Sequence, residues 1–253
     1  MFRRFFIVGA QRSATTYLAS LLDAHFQIEM AKPLLPEPKF FHADLLYKRG
    51  IRFYNSHFFQ HKPGTLIRGE KSVCYSESEI AAQRIKKYYP SAKIIFILRD
   101  PVERAISNYW YTKKQGLEML PIEEALKKGM QNRPYNKTEI SINPFNYLER
   151  GLYLRSIFMC EKYFPRQSIN IVIYEDMITN PQVFRDLCSF LRVDTQFVPA
   201  NMNTRVHASE GEIITPKEVK ECLYSYFYEH NKRLSEYLSI DVSKWWSVEM
   251  GSN

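Results

Sequence analysis

Three stretches of this 253-residue chain hold residue types spaced for anion chemistry. The first is Gly9-Ala10-Gln11-Arg12-Ser13-Ala14-Thr15-Thr16, which follows an apolar run from Phe5 and precedes a helical pattern from Thr15 to about His25. A strand-to-helix turn rich in small and hydroxyl residues aims backbone N–H groups and the positive end of the helix dipole at one spot, which suits a phosphate. An ordinary βα turn capped by Ser13 or Thr15 has the same composition, so the segment alone leaves both readings open. A Walker A loop would need Gly at the position of Ala14 and Lys at that of Thr15; the cation here is Arg12 instead.

The second stretch is Arg99-Asp100-Pro101-Val102-Glu103-Arg104-Ala105-Ile106-Ser107, directly after the apolar run Lys93 to Leu98. Open parallel sheets bind ligands at the carboxyl ends of their strands, where Arg99 falls. Ser107, eight residues on, is about two helical turns away and is a candidate for the same crevice. A salt bridge from Arg99 to Asp100 or Glu103 is the competing reading. The third stretch is Pro36-Glu37-Pro38-Lys39-Phe40-Phe41-His42. A carboxylate between prolines and beside aromatic rings is rigidly placed and partly desolvated, conditions that favour base duty, although a solvent-facing loop acid reads the same way. His42 and His25 are the alternative bases, each more simply explained as structural.

These residues need elements to hold them. Phe5 to Gly9, Thr65 to Gly69, Lys93 to Leu98 and Ser168 to Tyr174 read as strands, the last two as continuous β-rich runs of the kind buried on both faces of a parallel sheet. Helices are expected over Thr15 to His25, Ser76 to Tyr89, from Pro101 onward, over 147–163, Asn180 to Leu191 and Pro216 to Leu238. Alternation of strand and helix implies an α/β fold, a P-loop-like, doubly wound parallel sheet flanked by helices, in one domain. The polar stretches 131–146 and 199–215 are loops long enough to be functional.

Bulk properties narrow the partners. Apolar residues make up 45% and charged residues 25%, which is ordinary globular composition. The formal charge of +8 calls for an anionic partner, but no run of five or more Lys or Arg occurs, which disfavours nucleic acid. Cys74, Cys160, Cys188 and Cys222 form no close pair, so neither a CxxC redox site nor a zinc site is expected, and Cys160 and Cys188 read as buried thiols. No stretch approaches the ~18 apolar residues of a membrane span, and the expected location is cytoplasmic. No metal-ligand cluster is visible.

Taken together, the motifs resemble those of the sulfotransferases that use 3′-phosphoadenosine-5′-phosphosulfate (PAPS) and release 3′-phosphoadenosine-5′-phosphate (PAP), most closely the heparan or glycosaminoglycan type. Arg12-Ser13-Ala14-Thr15-Thr16 is similar to that family's 5′-phosphosulfate loop, written Lys or Arg followed by Ser-Gly-Thr-Thr, with Ala14 in place of Gly. RDPVERAISNYWY is similar to its 3′-phosphate motif, PEPKFF to its Lys-Glu-x-His-Phe-Phe segment, and Glu70-Lys71-Ser72-Val73-Cys74-Tyr75 to its Glu-Lys-Ser/Thr-Pro-x-Tyr segment. Asn203-Thr204-Arg205-Val206-His207 resembles the Lys-Gly-Arg-x-His loop that folds over the nucleotide. The resemblance covers about residues 3 to 246.

It implies that Arg12, Ser13, Ala14, Thr15 and Thr16 hold the 5′-phosphosulfate, with Arg12 at the bridging oxygen. Arg99, Ser107 and Arg205 would bind the 3′-phosphate, with Thr204 at the family's Gly position. Glu37 would be the general base and Lys71 would position sulfate and acceptor. Lys39 stands where the family has His and is a further catalytic candidate. The implied acceptor is a hydroxyl or amine of a saccharide or small natural product. A nucleotide kinase of P-loop type is the alternative, disfavoured by the missing Walker lysine and by Arg99 where a metal-binding Asp would stand.

Overall fold

The apolar runs of the sequence form the centre of a parallel sheet in the computed structural model of the chain, which describes residues 2–129, 133, 135, 142–200, 202 and 215–246. The strands are β1 (Arg3–Gly9), β2 (Ile28–Met30), β3 (Ile67–Lys71), β4 (Lys93–Leu98) and β5 (Ile169–Ile173), in the order β2-β3-β1-β4-β5 with every pairing parallel. Helices α1 (Thr15–Ala24), α2 (Asp44–Tyr47), α3 (Gly50–Phe58), α4 (Glu79–Tyr88), α5 (Pro101–Lys114), α6 (Ile122–Gly129), α7 (Tyr153–Glu161), α8 (Tyr174–Thr179), α9 (Pro181–Leu191) and α10 (Lys217–Leu238) complete it.

The chain divides into two compact units. The first comprises Met1–Leu98 and Ser156–Val206 and contains the whole sheet. Its core joins Phe5 and Ile7 of β1, Leu18, Leu21 and Leu22 of α1, Ile95 and Ile97 of β4, and Phe184, Leu187 and Leu191 of α9. The connection leaving β1 runs to β2 on one side, and that leaving its neighbour β4 runs to β5 on the other. The chain thus diverges at the carboxyl ends of these two strands, the place where open α/β sheets bind ligands. The second unit comprises Arg99–Arg155 and His207–Asn253. There α5 packs with α6 and α10 through Val102, Ala105, Tyr109, Leu126, Leu223 and Phe227. Asp100 caps α5 by accepting from Val102 N–H at 2.8 Å, with Pro101 in the first turn, as the sequence implies.

Three elements differ from expectation. The strand expected over Thr65 to Gly69 runs from Ile67 to Lys71. Glycine there is not a stop: a Cβ on Gly69 would lie 2.1 Å from Phe5 Cζ and 2.6 Å from Met30 Sδ, so the residue marks close packing and the strand continues through Glu70 and Lys71. The helix expected over Ser76 to Tyr89 is a 3₁₀ turn, Val73–Glu77, followed by α4, because Ser78 Oγ accepts from Ala81 N–H and starts a new helix. The helix expected over 147–163 is likewise a 3₁₀ turn, Glu149–Gly151, and then α7. The edge strand β2 and helices α2, α3, α6 and α8 were not expected; β2 has only three residues, too few for a periodic signal.

Candidate active site

The turn after β1 has the left-handed geometry that its glycine-like position demands. Ala14 adopts φ 60°, ψ 27° and Arg12 φ 68°, where a Cβ costs about 1 kcal/mol or more. Ser13 N–H bonds Ala10 carbonyl at 3.2 Å and closes the loop. No side chain caps α1, so the first-turn N–H groups and the helix dipole remain directed at this loop; the capping alternative is not realised. Ser13 is fully buried, yet its Oγ has no hydrogen-bond partner among the described residues, and neither has Gln11 Oε1. A buried hydroxyl left unsatisfied beside an uncapped helix start fits an absent oxyanion.

Lys71, at the end of β3, joins this loop to the candidate base. Its Nζ donates to Thr16 Oγ1 at 3.1 Å and pairs with Glu37 Oε1 at 3.1 Å. The Lys71 side chain is 1% exposed and that of Glu37 10%. Glu37 Oε2 accepts from Val73 N–H at 3.0 Å, so both carboxylate oxygens are held. A phosphate-loop hydroxyl, a buried ammonium and a carboxylate are thus linked by direct contacts.

Strand alternation sends Glu70 to the other face from Lys71. Glu70 is fully buried, accepting from Ser72 Oγ at 2.7 Å and Tyr75 OH at 2.6 Å on one oxygen and from Tyr54 OH at 2.6 Å on the other. Burial raises its pKa, with the three hydroxyl donors opposing the rise, and burial followed by the Glu70 charge pushes the Tyr75 phenol up. Ser72 Oγ in turn accepts from Lys39 N–H at 2.9 Å, and Tyr75 OH from Phe41 N–H at 2.9 Å. The backbone that carries Glu37 is therefore fastened to β3 through Glu70, while buried Phe40 and Phe41 anchor it in an aromatic cluster with Tyr54. Lys39 takes φ 51° and contributes here through its backbone.

Of the alternative bases, His25 is fully buried and fully used: Nδ1 accepts from Gln27 N–H at 3.0 Å and Nε2 meets Asp194 carbonyl at 2.9 Å. It is a core histidine. His42 Nδ1 meets Ser78 Oγ at 2.9 Å, which ties it to the start of α4.

In the second unit, Arg99 Nη2 lies 3.7 Å from Glu103 Oε2, one of the two salt bridges foreseen for it, and the Arg99 side chain is 28% exposed. Tyr153 OH donates to its carbonyl at 2.6 Å, and Asp100, the other foreseen partner, caps α5 and accepts from Tyr224 OH at 3.0 Å. Ser107 is half-buried two turns along α5. The first unit thus brings together Arg12, Ser13, Ala14, Thr15, Thr16, Glu37, Lys39 and Lys71, and the second holds Arg99 and Ser107; Thr204 and Arg205 lie outside the described residues. Glu70 was missed as a site component. Its signal was a Glu inside an otherwise buried strand with hydroxyl residues two and five positions on.

Known proteins share the sequence pattern and the fold of this chain. The family model described as "Sulfotransferase family" matches residues 4–196. Heparan sulfate glucosamine 3-O-sulfotransferase 5 of Mus musculus is 30% identical over 185 residues, covering 69% of this chain and 49% of that protein. The chain spans about half the length of the curated relatives of this kind. A crystal structure of a sulfotransferase from Alicyclobacillus acidocaldarius superposes with a TM-score of 0.78 at 28% identity, covering 97% of this chain and 99% of that one. Mouse SULT7A1 complexed with PAP shares the fold, with a TM-score of 0.58 at 15% identity over 93% of this chain and 89% of that one.

Proposed function

Because the chain belongs to the sulfotransferase family, we propose that it moves a sulfuryl group from PAPS to a hydroxyl, or an amine, of a saccharide or small natural-product acceptor, with Glu37 as general base. The observation that carries this reading is the contact chain from Thr16 through Lys71 to Glu37. It sets a carboxylate next to a buried cation at the mouth of a phosphate loop.

Each residue then has a physical task. The uncapped start of α1 and the Ser13 and Thr15 hydroxyls hold the 5′-phosphate, and Arg12 and Lys71 neutralise negative charge that grows on the transferring group and its leaving oxygen. Glu37 accepts the acceptor's proton. Arg99, Ser107 and Arg205 read the 3′-phosphate, which distinguishes PAPS from ATP, with Thr204 at the position before Arg205 in the sequence. PAPS, when bound, supplies the sulfuryl group; the protein's share is positioning and electrostatic stabilisation. A saccharide acceptor is supported by the relative that acts on heparan sulfate glucosamine, and the fold neighbour bound to PAP supports the donor. The comparisons do not favour the nucleotide-kinase alternative. We place the enzyme in the cytoplasm: Cys74, Cys160, Cys188 and Cys222 are all free thiols, as in a reducing compartment. Among the described residues no helix is long and apolar enough to cross a membrane.

Calorimetric titration with PAP and ADP, together with turnover of Glu37→Gln, tests the reading. Tight PAP binding, weak ADP binding, and a Glu37→Gln variant that binds PAP normally but does not turn over are expected. Equal affinity for PAP and ADP would remove the donor assignment. Near-normal turnover of Glu37→Gln would remove the base.

A further inference from the structure

A second concentration of positive charge lies at the opposite end of the strands from the phosphate loop. The amino-terminal residues of β1 and β4, with the end of α9, enclose a cleft of about 430 Å³ whose lining includes Arg3, Arg4, Lys93, Arg192, Tyr88 and Tyr89. Four of its thirteen lining residues are cations, and no Asp or Glu is among them. The absence matters because like charges this close repel, and a compensating negative charge is the ordinary solution.

Part of the compensation is internal. Arg3 donates from both Nη atoms to the last carbonyls of α9, at Leu191 and Arg192, each at 3.0 Å, where the helix dipole is negative. Lys93 Nζ donates to Gln167 carbonyl at 3.3 Å and sits over the Phe190 ring. Burial, and then the positive charge of Arg192, hold the Lys93 ammonium below its ordinary pKa. Arg4 is the least satisfied of the four. It is only 5% exposed, and its guanidinium packs on the Phe59 and Tyr89 rings with Asn55 as its hydrogen-bond partner. Its Nε and Nη1 have no partner among the described residues. Its register neighbour on β3, Arg68, has the carboxylate of Glu29 at 2.7 Å; Arg4 has no such carboxylate among the described residues. Partial carbonyl charges and ring faces do not cancel four unit charges, and a buried cation without a counter-charge is costly.

We propose that this cleft is a second oxyanion site, which takes the sulfate or phosphoryl groups of a small polyanion and is separate from the phosphate loop. Lys93 and Arg192 are the contacts through which the ligand is held, and Arg3 and Arg4 add their charge from the cleft wall. The volume suits a diphosphate or a sulfated disaccharide better than a single monovalent ion.

The test uses the full chain with and without saturating PAP, so that it does not depend on the identity of the donor. Inorganic pyrophosphate is titrated by calorimetry and by ³¹P NMR, against wild type, Arg192→Ala, and Lys93→Ala/Arg192→Ala. The expected result is one-site binding that survives saturation with PAP, weakens about tenfold or more in the double variant, and falls with added salt, while PAP affinity is unchanged. Arg192 is exposed, so a loss in the single variant at unchanged Tm carries the same meaning if the double variant is poorly folded. Displacement of pyrophosphate by a sulfated disaccharide, and not by its unsulfated form, identifies the natural ligand as a sulfated sugar; no displacement identifies a phosphate. Absence of pyrophosphate binding in PAP-saturated protein, or equal binding in wild type and both variants, overturns the proposal.

Discussion

Replacing Lys71 by Met keeps most of the side chain's length and removes the ammonium with its charge and N–H donors, so most of the effect reports on the pair with Glu37. At 3.1 Å the two charges attract by about 5 kcal/mol at an effective dielectric constant near 20. Withdrawing both from water offsets much of that, so the pair's net worth is small. Removing one partner is different. Glu37 would be left 10% exposed, with Val73 N–H on one oxygen and nothing on the other. Breaking a buried pair costs about 3–5 kcal/mol, and the remaining Val73 bond and incomplete burial place this case near 3. At about 2–4 °C per kcal/mol for a chain of this size, Tm should fall by roughly 6–12 °C. Glu37→Gln strands Lys71 in turn, though with Thr16 still as partner, and should cost about 2 kcal/mol. The double variant strands neither charge, so it should cost no more than Glu37→Gln alone, about 2 kcal/mol, a coupling of about 3 kcal/mol. Urea unfolding, with circular dichroism and fluorescence transitions shown to coincide, measures all four proteins. Additive losses, with coupling below about 0.5 kcal/mol, would show that the two residues do not meet in solution and would dissolve the contact chain on which the functional proposal rests.

Three further outcomes are expected. Ala14→Gly should stabilise by about 0.5 kcal/mol, the left-handed strain relieved less the extra freedom of an unfolded glycine, with PAP affinity retained in a calorimetric titration; a destabilised variant would contradict the φ of 60°. Gly69→Ala should cost more than about 3 kcal/mol and yield little soluble protein, because its Cβ would sit 2.1 Å from the Phe5 ring; normal expression and Tm would refute that packing. Glu70 has its folded pKa raised above the unfolded value, mainly by burial, so its contribution is fully present below the unfolded pKa of about 4.3 and is lost as pH rises through the folded one. Glu70→Gln should therefore lose less stability than wild type between pH 4.5 and neutrality, read from urea midpoints; parallel curves would refute it.

The turn after β1 and the strand β4 were legible because their signals are local: a run of hydroxyl and small residues, and five apolar residues in a row. Ala14, which stands where the resembling pattern has Gly, takes the left-handed φ of 60° that glycine adopts freely. β3 was misplaced by two residues because Gly69 was taken for punctuation, when the reason for it lies in Phe5, 64 positions earlier, and in Met30. Glu70 escaped for a related reason. Its partners Tyr54, Ser72 and Tyr75 come from α3 and from the segment after β3, and only the fold brings them to one carboxylate. Arg99 was placed correctly at a strand end, and its contact with Glu103 bears out the structural reading of that arginine.

The close fit at Gly69 bears on the fidelity of the whole site. Glu70 and Lys71 are neighbours of opposite charge on one strand, so sliding β3 by a single residue against β1 would exchange them, turning a carboxylate toward the phosphate loop and an ammonium toward the tyrosines. The same slide would carry a side chain to the place where the Phe5 ring leaves room for none. Misalignment is thus penalised by steric exclusion before it can reverse the site's polarity, and a copy of the chain with β3 out of register would fail to fold instead of surviving as an enzyme that repels its own donor.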